Sequence, residues 1–204
     1  MDKVTQVAEH VNMILRYIPY IQTNFVLGLD GDMVPEPFEL TKRFLDLAPG
    51  SFPAYSLLSA FGRAAPMNLD YQRNNRVLPF PHHFLNNNHA MNVKPLNYEW
   101  TEFYDNLVDL TAYSFSYRMI AKRIPGTKEF IPKWMNVIRG VSSEGWGRLK
   151  YHSTIRRLLD TDVSVRDYLE GESTVLPEFY RARIERELGQ FYQWLPDGAL
   201  EHDP

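Results

Sequence analysis

The residues able to do chemistry fall into a few groups. Gly28-Leu29-Asp30-Gly31-Asp32 follows an apolar run, so it puts two carboxylates and two glycines where a strand meets a helix. Ligands of α/β folds bind at the C-terminal ends of parallel strands. Gly28 permits close backbone approach to a ligand, and Asp30 or Asp32 can equally cap the next helix. Tyr55, Ser56, Ser59 and Phe61 alternate along a second apolar run, and one of its faces is a candidate ligand wall. His82, His83 and His89 surround an Asn86-Asn87-Asn88 run, but no Asp or Glu lies between Asp70 and Glu99 to complete a metal site. A polar loop over a ligand mouth and a plain solvated loop are the other readings. Lys94, Arg118, Lys122 and Arg123, and then Arg148, Lys150, Arg156 and Arg157, are two basic groups, the second a candidate contact for an anionic substrate. Trp134, Trp146 and Trp194 suit core or interface positions.

The composition limits these options. The 204 residues carry a net charge of -3 and no Cys, which excludes a disulfide framework, a Cys nucleophile and any iron–sulfur ligand from this chain. The slight acidic excess argues against a nucleic-acid binder. No apolar run approaches the length of a membrane span, and MDKVTQVAEH has no secretory apolar region. A soluble, cytoplasmic chain is expected. Neither a Gly-x-Ser-x-Gly elbow nor a phosphate-binding Gly-x-x-x-x-Gly-Lys loop occurs.

The positioning elements follow from periodicity. Val4, Val7, Val11, Leu15 and Ile18 predict a helix over 3–18, ended by Pro19. Strands are expected over 21–29 and 52–61, and helices over 35–48 and 66–75. This alternation is the pattern of parallel strands with crossover helices. Residues 76–97 read as a long irregular segment with one short strand at 90–94. A long helix is expected over 98–124, with Trp100, Phe103, Tyr104, Leu107, Leu110 and Thr111 on its apolar side. Helices at 131–141, 149–160, 162–170 and 177–194, with a turn at 142–147, complete the chain.

Four segments in order resemble the radical S-adenosylmethionine (SAM) superfamily. Asn24 to Asp32, followed by Pro35-Glu36-Pro37-Phe38 and Thr41, looks like a late barrel strand and its crossover helix. The Asp-x-Asp form is similar to the subset with an upstream cobalamin-binding domain. Tyr55 to Arg63 stands where that family has a strand and a Pro-x-Pro-Gly-Thr turn, here altered to Ser59-Ala60-Phe61-Gly62-Arg63. Tyr71, Arg76 and Val77-Leu78 match positions after the turn, and residues 89 to 104, including Val93-Lys94-Pro95, resemble the closing region. The resemblance covers residues 1–124. It implies an α/β fold: a partial (β/α) barrel over 1–124 and a mostly helical extension over 125–204. It further implies SAM contacts at Gly28, Leu29, Asp30, Asp32, Ser59 and Phe61. In the complete family protein the cofactors are SAM and a [4Fe–4S] cluster held by three Cys, and the partners are a small-molecule substrate and the N-terminal barrel portion. Without Cys, and with 204 residues being short for a whole barrel plus an extension, the chain is expected to be a C-terminal part that cannot cleave SAM alone. The alternative is a non-catalytic binding or assembly module derived from such a barrel.

Overall fold

The computed structural model describes residues 2–60, 62, 65–86, 89–126 and 129–201, with only the backbone of residue 86. The chain is α/β and predominantly helical. It divides into two compact units, Met1–Leu27, Gly31–Ser56 and Asn97–Arg157 in one, and Gly28–Asp30, Leu57–Leu96 and Leu158–Pro204 in the other.

The first unit opens with α1 (Lys3–Ile14), whose Asp2 cap accepts a hydrogen bond from the Thr5 amide at 3.2 Å and lies 2.6 Å from Arg43. The Thr5 amide and the Arg43 cation hold the Asp2 carboxyl down at about 2. Strand β1 (Gln22–Leu27), helix α2 (Glu36–Leu47) and strand β2 (Phe52–Leu57) follow, and the two strands pair in parallel. α2 buries Phe38, Thr41, Phe44 and Leu45 on one stripe, as helical spacing requires. Ala8 of α1 packs with Phe44, Leu45 and Ala48, joined by Val4, Val11 and Phe25. Along β1, Gln22, Asn24 and Val26 are exposed, whereas Phe25 meets Phe44 at 5.3 Å and Tyr55 at 6.0 Å between ring centroids. One face of this strand is therefore covered and the other open.

The long helix expected over 98–124 is two helices, α5 (Trp100–Ser114) and α6 (Tyr117–Arg123). Serine hydroxyls compete with the backbone here. Ser114 donates to the Leu110 carbonyl, and Ser116 donates to the Tyr113 carbonyl while accepting from the Met119 amide, which starts a new helix. Arg123 is wholly buried and donates to the Ser114 carbonyl at 2.5 Å. Its guanidinium stands against the rings of Phe52 and Phe115, and burial lowers its pKa to about 10. Helix α7 (Phe130–Val141) is followed by one π-helical turn, Ser143–Gly147, and by α8 (Arg148–Thr161).

In the second unit α3 (Pro66–Arg73) precedes the irregular segment, which contains a short helix, α4 (His82–Asn86), not expected from the sequence. The short strand expected at 90–94 is one antiparallel bridge, Val77 with Val93, flanked by hydrogen bonds from the Leu78 amide to the Asn92 carbonyl and from the Lys94 amide to the Arg76 carbonyl. α9 (Val163–Glu170) is capped by Asp162 and ends at left-handed Gly171. α10 (Glu178–Leu188) stops before Gly189, so the helix expected to reach 194 finishes as a 3-10 turn, Gly189–Trp194. The core of this unit gathers on Phe80, whose ring is 5.0 Å from those of Tyr168 and Tyr180 and 6.0 Å from that of Phe84.

Candidate functional site

β1 delivers the chain to Gly28, buried at φ 92, a conformation that a side chain would strain. Leu29 is exposed, and Asp30 then meets Arg76 in a bidentate pair: NH1 to Oδ2 at 2.8 Å and NH2 to Oδ1 at 2.6 Å. Such planar two-bond pairs are the strong, orientation-fixing form of this interaction. Arg76 also donates through Nε and NH2 to the Lys94 carbonyl at 3.1 and 2.7 Å, and its guanidinium lies 5.1 Å from the Tyr71 ring centre. The Lys94 ammonium donates to the Glu170 carbonyl at the end of α9, where a cation favours the helix terminus. Asp30, Tyr71, Arg76 and Lys94 thus form one hydrogen-bonded and stacked clamp.

The clamp holds backbone in place, through the Lys94 and Glu170 carbonyls. The Arg76 hydrogen bonds hold the Asp30 carboxyl below the usual carboxylate range, while burial and the Asp30 charge push the Tyr71 phenol up. A depressed acid stabilises the fold fully above its unfolded pKa, about 3.9, and loses that contribution as pH falls through the lower folded value. The stability gap between wild type and Asp30→Asn is therefore expected to be constant at neutral pH and to close below about pH 4. Chemical denaturation across pH measures it, and a gap that widens in acid contradicts the assignment.

Ser59 is committed to backbone, with Oγ 3.1 Å from the Leu57 carbonyl and 3.3 Å from that of Ala90. Phe61 lies outside the described residues, as do Asn87 and Asn88. Asp32 is half-buried and belongs to the first unit. Tyr55 is buried, hydrogen-bonded to the Ser114 hydroxyl, and burial pushes its phenol up. Ser56, one residue on along β2, is half-buried. Sequence reasoning missed Asn92. Its Oδ1 accepts from the Ala60 amide at 2.8 Å and its Nδ2 donates to the Ala60 carbonyl at 2.7 Å, so a side-chain amide takes the place of a strand neighbour three residues past the end of β2. A polar residue inside the apolar stretch Ala90-Met91-Asn92-Val93 is the signal that marks it. Asn92→Ala would leave both Ala60 groups buried without their partner, for an expected loss of roughly 2–3 kcal/mol in a urea titration.

The histidines belong to a charged chain. His83 Nε2 is 2.6 Å from Glu187, Arg183 is 2.8 Å from the same carboxylate, and Arg183 NH2 is 3.4 Å from His89 Nδ1. Among the described residues no group of three or more His, Asp or Glu is placed to hold a metal ion. The second basic group is also engaged: Arg148 donates to the Tyr55 carbonyl at 2.9 Å, and Arg156 pairs with Asp105 at 2.7 Å. The Trp146 indole donates to the Phe115 carbonyl, while Trp134 and Trp194 are exposed.

The first unit has a separate open cleft of about 570 Å³, lined by Asn12, Arg16, Tyr17, Gly50, Gly126 and Glu129 among others. None of the residues expected to contact SAM lines it. No helix among the described residues is long and apolar enough to cross a membrane. Comparison of the chain with protein-family models, curated proteins and solved structures finds no match.

Proposed function

We propose that the chain is the C-terminal part of a radical SAM enzyme: the last parallel strands and crossover helices of a (β/α) barrel, with a helical extension. One observation carries the reading. The strand end Gly28–Asp30, the pair Tyr71 and Arg76, and Lys94 come from three separate segments picked out by the resemblance, and they meet in a single clamp. The α1–β1–α2–β2 order with parallel strands also suits a barrel segment.

In this role the clamp fixes the strand end at Asp30, so that Leu29, exposed beside it, can face SAM. In the complete family protein three Cys would hold a [4Fe–4S] cluster, which would supply the redox chemistry for SAM cleavage. This chain has no thiolate to ligate that cluster, so the cluster does not fit the residues present and must be held by another portion. Purification together with the polypeptide encoded immediately upstream tests the reading. The expected result is a complex carrying stoichiometric iron and sulfide on a three-Cys motif. If neither the adjoining reading frame nor a neighbouring gene encodes such a motif, the reading fails.

The second reading, a non-catalytic assembly module, is favoured by one feature: the exposed aromatic pair Phe191 and Trp194 in the turn after α10. A cooperative melt of a monodisperse chain that forms a stable complex with a protein lacking the three-Cys motif would select it.

A further inference from the structure

Helix α7 is amphipathic, but it is turned the wrong way for a core helix. Its buried residues are Asn136 and Gly140. Its large side chains face out: Phe130 is 72% exposed, Ile131 73%, Trp134 53% and Ile138 57%, with Met135 and Val141 also exposed. These positions recur at three- and four-residue intervals along the whole helix, so they form one continuous stripe. The inward contact is close, since a Cβ on Gly140 would lie 3.2 Å from Ile120, so a small residue seats the helix against the body. The stripe is a contiguous exposed apolar patch, the kind of surface that marks an interaction site.

The charged residues of α6 and α7 are all basic. Residues 115–143 carry Arg118, Lys122, Arg123, Lys128, Lys133 and Arg139 against Glu129 alone, in a chain whose net charge is -3. Lys122 pairs with Asp46, Arg139 with Glu144, and Arg123 is buried. Arg118 is exposed, with the Asp46 carboxylate within its field, and Lys133 is half-buried on the Asn136–Gly140 side of α7, so its ammonium must reach outward along its stem; α6 and α7 contain no Asp or Glu. Pairing of two copies through α7 would bring like charges together, which disfavours self-association. Apart from the Trp134 indole, the exposed apolar residues offer no side-chain hydrogen-bonding group, whereas a protein interface normally carries a polar rim with direct hydrogen bonds.

We infer that α7 is an interfacial membrane helix: it lies in the plane of an anionic lipid surface, with Phe130, Ile131, Trp134 and Ile138 at the acyl boundary and Lys133 and Arg118 at the headgroups. An aromatic and aliphatic face with basic flanks, too short to span, is the composition that binds lipid in this manner. The inference does not depend on the SAM reading.

The full chain is sedimented with vesicles of phosphatidylcholine alone and of phosphatidylcholine mixed with phosphatidylglycerol. The expected result is binding to the anionic vesicles that weakens with salt, at least tenfold above the neutral ones. Trp134→Glu and Ile138→Glu alter exposed side chains only, so each should melt like wild type while losing roughly tenfold or more in vesicle affinity. A blue shift of indole emission on lipid binding, abolished by Trp134→Phe, would place this helix at the surface. Absence of binding to anionic vesicles overturns the inference, as does unchanged binding by both Glu variants. So does a lipid-free dimer or a complex with an acidic protein that buries Trp134.

Discussion

Gly145→Ala is expected to be the most damaging single-methyl substitution in the first unit. A Cβ on Gly145 would sit 1.9 Å from the Gly140 carbonyl oxygen, 2.7 Å from its carbonyl carbon and 2.9 Å from Phe115 Cδ1. Two of these atoms are backbone, and the third belongs to a buried ring, so no flexible side chain can yield. The π-helical turn that follows α7 brings Gly145 back over the Gly140 carbonyl, and that approach exists only because Gly145 lacks a Cβ. Relief requires opening the turn, which would also disturb the Trp146 hydrogen bond to the Phe115 carbonyl at 2.9 Å. The expected cost is about 3 kcal/mol or more, at the upper end of overpacking effects. Gly147→Ala is the control. Its Cβ would find ordinary contacts at 3.5 Å, and losing a glycine from a helical turn is mildly favourable. Denaturant titrations of the two variants should therefore differ by several kcal/mol, and equal midpoints would mean that the turn is not held as described.

Phe80→Ala should have a comparable effect in the second unit. Phe80 is wholly buried, and its ring meets those of Tyr168 and Tyr180 edge to face, with Phe84 beyond. Edge-to-face pairs add to area burial. The rings come from α4, α9, α10 and the segment before α4, so no single element can collapse into the space left behind. Loss of a buried Phe side chain with incomplete relaxation costs roughly 3–5 kcal/mol. The Tyr168 hydroxyl donates to the Pro79 carbonyl at 2.6 Å, which ties α9 to the residue beside the cavity. Hydrogen exchange should therefore show loss of protection in α9 and α10 together. A loss under about 1 kcal/mol, or one confined to α4, would show that the cluster is not a common core.

Much of the fold was legible because spacing encodes burial. The apolar positions of α1, α2 and α5 recur at helical intervals, and Asn24 to Leu27 runs into glycine and aspartate, so the element order of the first 75 residues follows periodicity, although α1 ends at Ile14 rather than 18 and β2 ends at Leu57 rather than 61, leaving Ser59 off the strand. The break between α5 and α6 was not legible. The apolar pattern runs through it, and the decision rests on which backbone groups the Ser114 and Ser116 hydroxyls take. Helix α4 was hidden because five residues with two histidines carry no periodicity. Periodicity finds α7, but cannot say that its small and polar stripe is the one turned inward. At the candidate site, Asp30, Tyr71, Arg76 and Lys94 could each be picked out from sequence. Their mutual contacts could not, since they depend on the Val77–Val93 bridge bringing Arg76 beside Lys94. The histidines drew attention as metal ligands because their partners, Arg183 and Glu187, lie about a hundred residues away on α10, where charge alternation read as a solvated face.

The central claim is that Gly28 and the Asp30–Arg76 clamp form part of a SAM-binding wall. Calorimetric titration of SAM into this chain joined to the polypeptide encoded immediately upstream tests it most directly, with the two portions also titrated separately. The account predicts that the joined protein binds SAM, and that Leu29→Arg, which alters a side chain exposed at this strand end, weakens binding by roughly tenfold or more while the melting temperature of the second unit changes little. Equal SAM affinity in wild type and Leu29→Arg, or full affinity in the upstream portion without this chain, would contradict it.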